Sequence, residues 1–207
     1  MNITVLTGYK GVCVYEETVS KNYEEYCSRY GYKFIKHFGN IPEINRFPYW
    51  IKQYLVMKYI GATDWLMWTD ADTIVTNMTI SLTDVIDENY DIIVTKEDVM
   101  QTGCILFRNS EWTRDFLRKW WDIGDANHEY WIRENINTNH ILNDNNCMHN
   151  LIDIESSSES HIKYVNNKQF LVKHVHFEKG DFIMHVPGST EEDKLHFITL
   201  YSNEIIR

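Results

Sequence analysis

Trp65-Leu66-Met67-Trp68-Thr69-Asp70-Ala71-Asp72 is the stretch on which the fold turns. The run before Asp70 has the length and apolarity of a buried strand, and the two aspartates stand where that strand leaves its sheet. Extended backbone alternates faces, so Asp70 and Asp72 can point the same way, where they repel each other unless a cation lies between them. A divalent metal would satisfy both.

Upstream, Asn2 to Thr7 predicts a first strand and Gly8 to Gly11 a loop. A helix follows from Glu16 to Tyr30, capped by Gly31, and Tyr32 to Phe38 predicts a second strand. Pro42 and Pro48 punctuate a loop, and Tyr49 to Ile60 is a second helix stopped by Gly61. This βαβαβ alternation implies an α/β fold with a mostly parallel central sheet flanked by helices. Ligands of such sheets sit outside the carboxyl ends of the strands, where Asp70 and Asp72 fall.

Downstream, Leu82 to Asp87 reads as a short helix, and Asp91 to Thr95 and Thr102 to Phe107 as strands. Ser110 can cap a helix to Ile123 whose apolar face is Trp112, Phe116, Leu117, Trp120 and Trp121. His128 to Asn150 reads as a helix followed by a surface loop, and Ser156 to Ser158 as another loop. His174 and His176, alternating with Val175 and Phe177, suit one polar face of a strand.

With 207 residues and 43% hydrophobic content, residues 1–207 are expected to form a single domain. A net charge of −10 and a pI near 5.3 argue against nucleic acid or an anionic membrane surface as partners. Any phosphate-bearing ligand then needs locally placed Lys, Arg or metal. Cys13, Cys27, Cys104 and Cys147 form no CxxC pair and read as reduced thiols. Met1 to Val14 lacks the apolar core of a signal peptide, and no window approaches a membrane span, so a cytoplasmic location without membrane insertion is expected. Asn77-Met78-Thr79 is a formal glycosylation sequon, read here as a turn.

Tyr49 to Ile123 resembles the galactosyl-, xylosyl- and mannosyltransferases numbered family 34 among glycosyltransferases. Trp50-Ile51-Lys52 and the strand ending in Asp70-Ala71-Asp72 are similar to that family's tryptophan-rich DXD strand and the helix before it. Gln101-Thr102-Gly103 running into Arg108-Asn109-Ser110-Glu111-Trp112 is similar to its Asn-Thr-Gly strand and Arg-Asn-x-x-Trp sequence. Gly180 to Gly188, with His185, resembles its His-Phe-x-Gly segment. The resemblance implies a GT-A fold, a Mn²⁺ site for which Mg²⁺ can substitute, a UDP-sugar donor, a glycan or glycoprotein acceptor and retention of anomeric configuration. It implies Asp70, Asp72 and His185 as metal ligands, with Asp70 and Asp72 also catalytic. It sets Lys194 against the diphosphate and Thr7, Gly8, Lys52, Asp70, Ala71 and Gly188 along the nucleotide. The family's Asp-Gln pair beside the donor sugar has Glu134-Asn135 as its nearest counterpart, which makes Asn135 a catalytic candidate. A compact domain without an anchor looks like virus-encoded or cytosolic versions, such as the glycosyltransferase domains of chlorella viruses.

Two other functions compete. Asp70-Ala71-Asp72-Thr73 could be the nucleophile loop of a haloacid-dehalogenase-like phosphohydrolase, although that motif belongs near the N-terminus and here follows a whole βαβα unit. The chain could also be an inactive nucleotide-sugar binder. Glu97 and Asp98, after a strand, are candidates for the acceptor side, whereas Trp65 and Trp68 read as packing residues.

Overall fold

A computed structural model describes residues 1–41, 46–133 and 143–207, with backbone alone for 125–133. It contains the βαβαβ unit. β1 (Ile3–Lys10), α1 (Glu16–Tyr30), β2 (Lys33–Gly39), α2 (Ile51–Tyr59) and β3 (Trp65–Asp70) follow in order. β1 lies between β2 and β3 and runs parallel to both. Gly31 ends α1 in the left-handed conformation, φ 70°, that a glycine adopts without Cβ strain. β1 continues through Gly8, Tyr9 and Lys10, which the sequence assigns to a loop; they pair with His37, Phe38 and Gly39 of β2. A Cβ on Gly8 would lie 2.8 Å from Leu55 Cδ1, so α2 packs directly on the strand backbone there.

The remaining elements are β4 (Thr73–Val75), α3 (Leu82–Val85), β5 (Ile92–Lys96), β6 (Met100–Arg108), α4 (Glu111–Arg133), α5 (Asp144–Ile154), β7 (Ile162–Val165), β8 (Leu171–Lys173), β9 (Ile183–His185) and α6 (Glu191–Ser202). The main sheet has the order β2-β1-β3-β6-β5-β7. β6 is antiparallel to both its neighbours and the other strands share one direction. A second sheet, β4-β9-β8, stands beside the DXD turn. Alternation along each strand splits the core in two: Val5 and Met67 join the cluster with α1, while Leu6, Leu66 and Trp68 join the one with α2 and α4.

Three expectations are corrected. The loop expected before Asn150 is α5, capped by Asn143 and burying Cys147, Met148 and Leu151. Its apolar residues are few and diluted by Asn and His, which hid the helical period. His174 and His176 lie in a 3-10 turn after β8, not in a strand. Ser156 begins a 3-10 helix rather than a plain loop. The Asn77 side chain is spent on its turn, accepting from Thr79 N at 3.1 Å and donating to Gly180 O at 2.9 Å. Among the described residues no helix is long and apolar enough to cross a membrane.

Candidate active site

The turn from β3 to β4 carries both aspartates and is tied down from below. Tyr23 Oη, fully buried on α1, lies 2.7 Å from Thr69 Oγ1 and 2.8 Å from Thr73 Oγ1, and Thr73 Oγ1 donates to the Asp70 carbonyl at 2.7 Å. Asn22 makes a two-way bond with the Val75 backbone, donating at 2.9 Å and accepting at 2.8 Å. Val186 N donates to the Asp72 carbonyl at 3.0 Å, joining the segment after β9 to the same turn. A buried network of this kind fixes side-chain direction because each member has a partner.

β4 pairs antiparallel with β9, with Thr73 opposite His185, and so brings the imidazole to the carboxylates. His185 Nε2 lies 3.2 Å from Asp72 Oδ1 and 4.0 Å from Asp70 Oδ2. One ligand atom from each of Asp70, Asp72 and His185 falls within 4.8 Å of the others. The Thr102-Gly103 step explains how the ring fits: a Cβ on Gly103 would lie 2.5 Å from His185 Cε1 and 2.7 Å from Nδ1. His185 Nδ1 is buried with no hydrogen-bond partner among the described residues. The set fits a divalent cation, since two carboxylates and one imidazole converge and such mixed oxygen and nitrogen donors suit Mn²⁺.

The two carboxylates have different surroundings. Burial pushes Asp72 upward, but the positive field of His185, its hydrogen bond and the Lys194 ammonium 3.1 Å from Oδ2 outweigh that and hold the group at about 2. Burial raises Asp70 above the usual carboxylate value; the field of Lys52 lowers it, and repulsion by Asp72 raises it again. Its Oδ1 accepts from Trp68 Nε1 at 2.6 Å and lies 3.4 Å from Lys52 Nζ. Lys52 is 3% exposed and is shared: it donates to Asp144 Oδ2 and to the Thr102 carbonyl, each at 2.7 Å. Burial lowers the Lys52 pKa, but Asp144 and Asp70 together raise it on balance.

A cleft of about 260 Å³ opens over this turn, lined by Gly8, Tyr9, Lys10, Tyr15, Pro48, Tyr49, Ile51, Lys52, Trp68, Asp70, Ala71, Asp72, Asp144 and Lys194. Gly8, Lys52, Asp70, Ala71, Asp72 and Lys194 are thus brought together as the resemblance implied. Thr7 is fully buried within β1, and neither it nor Gly188, in a φ 67° turn after β9, lines the cleft among the described residues. Glu134 and Asn135 lie outside the described residues. An acid–amide pair does reach this region at Asp144-Asn145, with Asp144 in the cleft wall and Asn145 Oδ1 buried without a partner among the described residues. Sequence reasoning missed Asp144, Tyr9 and Tyr15. The Asp144-Asn145 order matching the family's Asp-Gln was the only signal, and the Asn-rich surroundings obscured it. Trp68 packs as expected and also orients Asp70. Gln101 donates to the exposed Glu97 at 2.9 Å.

These features agree with the sequence match. Residues 3–97 match the model of the galactosyl transferase GMA12/MNN10 family. Probable glycosyltransferase 2 of Oryza sativa subsp. indica is 26% identical over 118 residues, covering 51% of this chain and 24% of the relative. Galactomannan galactosyltransferase 1 of Cyamopsis tetragonoloba is 25% identical over 124 residues, covering 53% and 28%. The chain therefore spans about a quarter of the length of these relatives. A crystal structure of a glycosyltransferase involved in glycosylation of the major capsid of PBCV-1 superposes with a TM-score of 0.72 at 17% identity, covering 97% of this chain and 100% of that one. The galactosyltransferase LgtC, in complex with donor and acceptor sugar analogs, gives 0.64 at 11% identity, covering 99% and 96%. The fold of this chain is that of the GT-A glycosyltransferases.

Proposed function

We propose that residues 1–207 form one catalytic domain that transfers a sugar from a UDP-sugar to a glycan or glycoprotein hydroxyl, with retention, using Mn²⁺ or, less well, Mg²⁺. The convergence of Asp70, Asp72 and His185 at the floor of a cleft that also holds Lys194 carries this reading. Breaking a sugar–phosphate bond leaves charge on the departing diphosphate, and stabilising that charge where it develops is the main catalytic task. A metal held by the three ligands supplies a Lewis acid for that charge. Lys194 offers a mobile ammonium beside it, and the Lys52–Asp144 pair stiffens the wall against which the sugar is held. Asp144-Asn145 offers a second candidate, beside Asn135, for the role of the family's Asp-Gln pair next to the donor sugar. Retention is supported by the family match alone.

The phosphohydrolase reading loses ground on topology. Its nucleophile loop belongs near the N-terminus, whereas β1, α1, β2 and α2 precede Asp70 here. A thermal-shift screen decides between the readings, because a ligand that binds the native state raises Tm by mass action. Stabilisation by UDP and one UDP-sugar only with Mn²⁺, and slow hydrolysis of that donor, is the expected outcome. Mn²⁺-dependent UDP binding without hydrolysis or transfer of any UDP-sugar identifies an inactive binder. Inert nucleotides together with phosphate release from simple monoesters would overturn the proposal.

A further inference from the structure

Tyr49 lines the cleft and packs its inner side on the core, and Phe47, two residues before it, is stacked on it beside the cleft and belongs to neither the metal site nor a core cluster. Phe47 is 60% exposed, yet its ring is stacked on Tyr49 with centroids 5.7 Å apart and planes at 13°. The segment is rigidly based. Pro48 starts a 3-10 turn into buried Trp50, and the Arg46 guanidinium lies 5.2 Å above the Trp50 ring and 3.6 Å from that of Trp121. Arg46 also donates to the Trp121 carbonyl at 2.8 Å. An exposed ring held this way has already lost much of the freedom that binding would otherwise cost it.

Position along the cleft gives the pair its role. Tyr9 and Tyr15 line the cleft with Asp72 and Lys194; after burial, Glu191 and Lys194 act most on the Tyr9 hydroxyl and Asp72 on that of Tyr15. Tyr49 belongs to the other end: after burial, Asp144 is the group that most raises its hydroxyl. Exposure increases outward from Asp144, 7% exposed, through half-buried Tyr49 to Phe47. A group held at the carboxylate floor therefore lies inside Tyr49, and what meets Phe47 arrives from solvent.

We propose that Phe47 and Tyr49 form the subsite for the pyranose ring of the acceptor. One face of a pyranose is a patch of C–H groups that packs on an aromatic plane, while its hydroxyls stay free for polar partners and water. The assignment rests on the transferase reading and names the acceptor side of that site.

Saturation-transfer NMR on the full chain with Mn²⁺ and UDP tests it, using methyl β-D-galactopyranoside, methyl β-D-glucopyranoside and methyl α-D-mannopyranoside as probes. At least one glycoside should show transfer to its ring C–H protons, falling about tenfold in F47A and persisting in F47W, while UDP affinity by calorimetry stays within about twofold. Equal signals in F47A, no glycoside signal in the wild type, or a matching loss of UDP affinity would overturn the assignment; the last would make the pair a nucleobase platform. Failure of the wild type to bind UDP with Mn²⁺, with the glycoside signal still dependent on Phe47, sinks the transferase reading and leaves the sugar platform standing.

Discussion

Asp70 and Asp72 are the same residue two positions apart, yet each belongs to a different half of the molecule. Asp70 faces Lys52 on α2 and, through it, Asp144 on α5. Asp72 faces His185 on β9 and Lys194 on α6. On the first side one buried ammonium is divided between two carboxylates, so Asp70 is under-compensated and its pKa rises. On the second side an imidazole and an ammonium serve one carboxylate, and its pKa falls. The Asp70 side is therefore a structural clamp with its charge already committed, whereas the Asp72 side is a charged site that a cation or a diphosphate can take over.

The largest effect is expected on the clamp side. K52M leaves Asp144 buried and unpaired and should cost about 3–5 kcal/mol, read as a lower denaturation midpoint; adding D144L should recover most of that loss. If K52M is neutral, the clamp is not a buried ion pair and the contrast collapses. On the Asp72 side, D72N should lower the apo Tm at pH 7, because it removes a stabilising carboxylate, and weaken Mn²⁺ binding at least about 100-fold by calorimetry. G103A tests how the imidazole is seated. Its Cβ would need the His185 ring to move, at about 1–3 kcal/mol of overpacking, with Mn²⁺ affinity falling about tenfold.

The smallest effect sharpens the comparison most. A carboxyl whose pKa is raised on folding costs stability above its unfolded value, so D70N should stabilise the apo protein at pH 7, by less than the roughly 1 kcal/mol of a typical substitution. That advantage should vanish as pH falls through the raised native pKa towards 3.8. Asp72 has the opposite sign: its contribution is present above 3.8 and is lost as pH falls towards about 2. At pH 7 Tm should therefore lie above the wild type in D70N and below it in D72N, and both gaps should close as pH falls. Parallel curves would show the two sites to be electrostatically alike.

Legibility in the sequence followed the same division. α1 was legible, its start approximately and its end at Gly31, because a 15-residue helix carries many periods and a stop signal. β8 and β9, at three residues each, carry no period, and α6 buries little besides Ile198, so the elements that deliver His185 and Lys194 gave no pattern of their own. Those two residues were reached only through resemblance. Asp144 was hidden because it becomes significant only opposite Lys52, an ammonium contributed from far along the chain.

By itself the sequence determined the buried strand of apolar residues, the pair of aspartates at its end and the parallel unit that sets them at the rim of a sheet, since these depend on local spacing and strand periodicity. Tertiary structure alone decided which carboxylate is compensated, how Gly103 makes room for an imidazole and which tyrosines face the cleft. Charge compensation and close approach depend on distances across space, and folding sets those distances by pairing strands and packing helices from opposite ends of the chain.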